Sequence, residues 1–158
     1  MPKSCFHSMQ EKNIIEFIIK SYNSDLFYDR IEDLADCPED NESFEECSNF
    51  INKRWVDVDY SDWIHHHYAI SFFTKKAREL FWPSVMLNML SHPQQISIAL
   101  DSYMYHFWIN ENDDLSSLIG DSQAKFECFK LWCKFVRSSN PEFTRSLCVD
   151  GNRIEDCL

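Results

Sequence analysis

Three consecutive histidines, His65-His66-His67, follow closely on Asp62. On a helix Asp62 and His66 are four apart and share a face, and an imidazole beside a carboxylate is part of a metal site. Neighbouring histidines, however, point in three directions around a helix. No HExxH frame or further carboxylate pattern completes a ligand set. The triplet is therefore expected to pack, to hydrogen-bond or to pair with Asp62. Cysteine–histidine catalysis needs a thiolate held beside a base. Seven cysteines and six histidines offer many combinations, and no spacing singles one out. Cys128 and Cys133 fall within an aromatic helical pattern and read as small core hydrophobes. Cys5 and Cys157, close to the ends, read as exposed thiols. The pairs Asp57/Asp59 and Asp113/Asp114 lack the additional ligands of a metal-dependent nuclease and read as solvated surface. No catalytic residue, metal ligand or cofactor follows from these patterns, so the expectation is a protein without enzymatic activity. A metal-dependent enzyme built on the histidine triplet is the weakest of three functional alternatives.

The charge pattern carries more information. Between Asp25 and Asp62 lie 13 of the 26 acidic residues and only Arg30, Lys53 and Arg54 as bases, a formal charge of −10 against −11 for the whole chain. Such a field speeds and selects encounters with a basic partner. Trp55, Tyr60 and Trp63 flank the carboxylates and supply the aromatic component typical of an interface. The expected partner-binding set is Asp36, Glu39, Asp40, Glu42, Glu45, Glu46, Trp55, Asp57, Asp59, Tyr60 and Trp63. Aromatic runs at Phe81-Trp82-Pro83 and Tyr103–Trp108 could stack bases, but an isoelectric point near 4.8 repels phosphate. Nucleic acid is not an expected partner.

At 158 residues the chain is read as one domain over 1–158, able to bury about two-thirds of its unfolded surface. A hydrophobic content of 44% supports a core, and only two glycines argue against a strand-rich fold. The unpatterned cysteines, the lack of a leader-like start and the lack of a long apolar run point to a soluble cytoplasmic protein.

The elements follow from periodicity and caps. Ser8-Met9-Gln10-Glu11 fits a capping box, with Ile14, Ile15, Ile18, Ile19 and Tyr22 behind it, predicting a helix over about 9–22. Ser43-Phe44-Glu45-Glu46 fits a second box, with Phe44, Cys47, Phe50 and Ile51 as the apolar face of a helix over 43–53. Residues 55–60 alternate as a short strand or extended loop, and 62–68 form a helical turn. Thr74 caps a helix that Pro83 kinks or restarts. His92-Pro93 ends it, and a further helix begins at Ile96. Asn110–Asp114 is a polar loop, Asp121 caps a helix ending near Asn140-Pro141, and residues 150–158 form a frayed tail. The sum is an all-α or predominantly α protein, a compact orthogonal bundle of about five to seven helices.

The stretch from Arg54-Trp55-Val56-Asp57-Val58, through Trp63-Ile64-His65-His66-His67-Tyr68-Ala69-Ile70-Ser71-Phe72-Phe73-Thr74, to Ala77-Arg78-Glu79-Leu80-Phe81-Trp82-Pro83-Ser84-Val85-Met86-Leu87 resembles a family of small, acidic, mostly helical bacterial proteins of unknown function. The resemblance covers about 45–110, and departs from the family at the histidine triplet and at the lysines after Thr74. Proteins of this size and charge are similar to the immunity proteins paired with bacterial toxins. By that analogy the expected function is a cytoplasmic inhibitor of a basic toxin domain, such as a nuclease. A regulatory adaptor for another basic partner is the second alternative.

Overall fold

One helix is apolar on nearly every side, and the others pack around it. It runs from Lys75 to Ser91 as the sixth of eight α-helices in the described residues of the computed structural model, which are 3–109, 122–149 and 152–157. The expected loop Asn110–Asp114 and the cap Asp121 lie outside them. The helices are α1 (Lys3–Ser21), α2 (Ile31–Leu34), α3 (Asn41–Ser48), α4 (Tyr60–His66), α5 (Ala69–Phe72), α6 (Lys75–Ser91), α7 (Pro93–Ile109) and α8 (Gln123–Ser139). An antiparallel ladder of two residues per strand joins β1 (Cys148–Val149) to β2 (Asn152–Arg153). The fold is predominantly α. The count exceeds the expected five to seven because α2 and α5 are single turns of four residues.

Helix α6 buries Leu80 through Met86 without interruption, together with Ala77, Arg78, Asn88 and Met89. A helix with no polar face must be enclosed, and α6 meets α1, α2, α7, α8 and the 3₁₀ turn Trp55–Asp57. Thr74 caps it as its sequence indicates, accepting a hydrogen bond from the Ala77 amide at 3.1 Å. Pro83 does not restart the helix; α6 is continuous through it. Enclosure by its neighbours offsets the hydrogen bond that the proline ring removes. At the far end His92 closes α6 and Pro93 opens α7, the helix position where a missing amide hydrogen costs nothing.

Both serine capping boxes are corrected. Ser8 lies inside α1, which starts at Lys3. Ser43 is inside α3 and fully buried, and the cap is Asp40, which accepts from the Ser43 amide at 2.9 Å. The predicted helix over 43–53 therefore starts earlier and stops at Ser48. The chain then reverses through Asn52, whose φ of 62° is left-handed and is tolerated by asparagine better than by most residues. Residues 55–57 are a 3₁₀ turn and not a strand: Trp55 and Val58 are both buried, a period of three instead of two.

Helices α1 and α8 lie against each other. Ile14 and Ile18, with Tyr22 just past its end, form the buried seam of α1, and Cys128, Phe129, Trp132, Cys133 and Val136 that of α8. One buried cluster extends from Ile14 to Ile154. Ile154 is fully buried and its amide donates to the Leu147 carbonyl at 3.0 Å. The expected frayed tail is thus folded back over its described residues, because Ile154 supplies an apolar anchor that the polar composition around it conceals.

Candidate partner-binding surface

Polar contacts from α3 and the turn that follows it reach α4. His66 Nδ1 faces Glu46 Oε2 at 3.4 Å, Asn49 Nδ2 donates to Asp62 Oδ1 at 3.0 Å, and Lys53 Nζ reaches the same oxygen at 3.0 Å. Glu46 in α3 meets the end of α4, and Asn49 and Lys53, just past α3, meet its start, so the chain from Glu46 to Lys53 runs antiparallel to α4. The first turn of α3 therefore lies at the end of α4, where Tyr68 follows. The 3₁₀ turn and Tyr60 lie at the opposite end. Eight helical residues separate the two ends by about 12 Å, more than the screening length of about 8 Å at physiological salt. The acidic segment is thus divided between two ends of α3.

The end bearing Asp57, Asp59 and Tyr60 is largely satisfied within the chain. Arg54 grips Asp57 through two hydrogen bonds of 2.8 and 3.1 Å, which hold the carboxyl below its ordinary range. Asp59 caps α4 by accepting from the Asp62 amide at 3.1 Å, and Asp62 Oδ2 in turn accepts from the Asp59 amide at 3.1 Å. Burial pushes the Asp62 carboxyl up, but the bonds from Asn49 and Lys53 outweigh it and leave it below the usual range. Tyr60 is 37% exposed, and its ring stacks on His92 with centroids 3.9 Å apart.

Trp55 and Trp63 are not at the surface. Each is 1% exposed, which removes both from the expected partner-binding set. Trp55 Nε1 donates to the Asn23 carbonyl at 2.9 Å. Trp63 Nε1 donates to Ser84 Oγ at 2.9 Å, and that hydroxyl donates onward to the Val58 carbonyl at 2.9 Å. Asn88 Nδ2 supplies a second bond to Val58 at 3.1 Å. This relay fixes the 55–63 segment on α6 and satisfies polar atoms that burial would otherwise strand.

At the other end Asp36, Glu39, Asp40, Glu42 and Glu45 are exposed. Among the described residues none of these five forms an ion pair, whereas Asp33 is held by Lys76, and Glu46 lies 3.4 Å from the His66 ring. Asp40 and Glu42 also suit the positive end of the α3 dipole. Asp36, Glu39 and Glu45 have no such local role. Two exposed aromatics accompany them. Phe44, expected on the buried face of α3, is 50% exposed, and Tyr68 is 58% exposed. Asp40 as cap starts the helix two residues before Ser43 and leaves Ser43 and Cys47 inward, which turns Phe44 out. Tyr68 could have been found by its spacing: it stands four residues beyond Ile64, itself 42% exposed, and both lie off the Trp63 face.

The histidines do not converge. His65 Nδ1 donates to the Ser61 carbonyl at 2.8 Å, His66 faces Glu46, and His67 Nδ1 donates to the Ile64 carbonyl at 3.3 Å. The expected pairing with Asp62 is absent because Lys53 and Asn49 occupy that carboxylate. No group of three ligating side chains able to hold a metal occurs among the described residues. Cys128 and Cys133 are core residues, as their pattern indicates. Burial pushes the Cys128 thiol up to about 12, and burial together with Glu46 and Asp36 does the same to Cys47, so both stay protonated at neutral pH. Among the described residues no helix is long and apolar enough to cross a membrane. No protein-family profile, curated protein or solved structure matches the chain.

Proposed function

We propose that the protein binds and occludes a basic protein partner, with the five carboxylates from Asp36 to Glu45 as its recognition surface. The observation that carries this reading is that none of the five forms an ion pair among the described residues, whereas Asp33, Asp57 and Asp62 each do. Five exposed carboxylates grouped within ten residues and left without ion pairs present a field for steering. Phe44 and Tyr68 take the anchoring part that Trp55 and Trp63 cannot play, since an interface needs side chains that lose water on docking. The partner class is a bacterial toxin domain with a cationic cleft, a nuclease cleft being the most apt because carboxylates imitate the phosphates it attracts. Inhibition is by occlusion and involves no chemistry on this chain. This reading extends the resemblance to small acidic helical proteins and puts the site of action in the cytoplasm.

The test begins with the polypeptide encoded beside this gene, expressed with its basic domain intact. Association measured between 50 and 500 mM salt should slow steeply as salt rises. The triple variant Glu39→Gln/Glu42→Gln/Glu45→Gln should associate about tenfold more slowly at low salt, with an unchanged melting curve. Phe44→Ala should speed dissociation and leave association nearly intact. Binding that ignores salt, or a triple variant that associates like the parent, sinks the proposal.

A further inference from the structure

A pocket of about 390 Å³ opens between α1 and α8, far in sequence from the acidic segment. That volume lies within the range of about 300–1,000 Å³ typical of small-ligand sites. Ile14 and Phe17 of α1 and Leu131 and Phe135 of α8 supply apolar lining. Gln10 and Asn13 add amides, and Lys134 adds an ammonium. One wall is held in place by His7, whose ring stacks on Phe135 at 4.6 Å and whose Nε2 lies 3.2 Å from Ser139 Oγ.

Among the described residues the lining contains no acidic side chain, in a chain with 26 of them. Lys134 forms no ion pair among the described residues, whereas Lys130, one turn earlier on the same helix, lies 3.9 Å from Glu127. A neighbouring depression of about 710 Å³ on α1 carries both Glu16 and Lys20 and so has no preferred sign. An apolar recess with a single unneutralised cation on its wall complements one kind of molecule, an apolar body that ends in one negative charge.

We infer that the α1–α8 pocket binds a small amphipathic carboxylate, aliphatic or aromatic. The apolar part lies against Phe17, Leu131 and Phe135, and the carboxylate accepts from Lys134 and from the amides of Gln10 and Asn13. The site is independent of the partner-binding surface, and its test needs no partner.

The probes are octanoate, octanol and octylamine, titrated into the full-length protein and followed by amide chemical shifts. Octanoate should shift the amides of residues 10–17 and 131–138 and bind about tenfold more tightly than octylamine. Lys134→Gln should weaken octanoate about fivefold and leave octanol unchanged. Leu131 is 46% exposed, so Leu131→Trp can fill the pocket without disturbing the fold and should abolish the shifts from every probe. Three results overturn the inference: no saturable shift with octanoate, a preference for octylamine, or octanoate binding that survives Leu131→Trp. A short peptide ending in phenylalanine that binds more tightly than phenylpropionate would overturn the small-molecule assignment in favour of a chain terminus.

Discussion

Ser84 shows how one small polar group can hold two elements together. Its hydroxyl accepts from the Trp63 indole and donates to the Val58 carbonyl, both inside the core. Ser84→Ala changes volume little but leaves the indole N–H without a partner. Urea unfolding should show a loss of about 2 kcal/mol, the scale of one stranded buried donor. A variant as stable as the parent would mean that the relay contributes nothing net. Asp62 makes a different prediction. Its carboxyl is held below its ordinary value in the folded chain, so the unfolded chain binds its proton first as pH falls. Its stabilising contribution is therefore complete at neutral pH and is lost on the acid side, as pH drops through the ordinary carboxylate range near 4 and below. Stability measured from pH 7 to pH 3 should fall less steeply in Asp62→Asn than in the parent.

At the scale of elements, Thr74 and Asp40 separate two kinds of helix start. Thr74 Oγ1 accepts from the Ala77 amide and donates to the Asp33 carbonyl at 2.7 Å, so it caps α6 and ties α2 to it. Thr74→Ala should cost about 2 kcal/mol, one cap and one further hydrogen bond, and Thr74→Ser should restore most of it. Asp40→Ala should cost about 1 kcal/mol, whereas Asp40→Asn keeps the cap and should stay within a few tenths. Asp40→Asn thus separates the structural part of this carboxylate from any part in recognition. The same pair shows which features were legible in the sequence. Thr74 could be read because the apolar pattern begins immediately after it and nothing nearby competes for the cap. Ser43 could not, because Asp40 offers the same chemistry three residues earlier, and only the burial of Cys47 and Phe50 decides between them. Ser8 fails for a related reason: α1 continues upstream on residues whose pattern alone carries no start signal. Trp55 and Trp63 were read from the charges beside them in sequence. What fixes their place is Asn23 for one and Ser84 for the other, 32 and 21 residues distant. A local reading cannot register such partners.

For the whole molecule, the contrast is between a segment of uniform charge in sequence and a divided one in space. The antiparallel course of Glu46 to Lys53 along α4 sends Asp57 and Asp59 to one end and Asp36 through Glu45 to the other. The predominantly helical fold was legible from apolar periodicity and glycine scarcity. The shape of the charged surface depended on how two short helices return past each other, which no composition count contains. Of the expected partner-binding residues, Asp36, Glu39, Asp40, Glu42 and Glu45 remain grouped, Glu46 and Asp57 have partners of their own, and Asp59 and Tyr60 stand apart.

The buried tryptophans also give this protein a built-in optical reporter. Trp55, Trp63, Trp82 and Trp132 are each at most 1% exposed, and the indoles of Trp55, Trp63 and Trp132 donate to the Asn23 carbonyl, the Ser84 hydroxyl and the Met86 carbonyl. In a Trp108→Phe background their emission should lie to the blue of free tryptophan and resist quenching by iodide until the core opens. A partner docking at Asp36–Glu45 touches none of them, so complex formation should leave that emission unchanged while unfolding shifts it to the red. Intrinsic fluorescence would then follow the integrity of the fold while being blind to the encounter, and any change on mixing would report that the partner had disturbed the core.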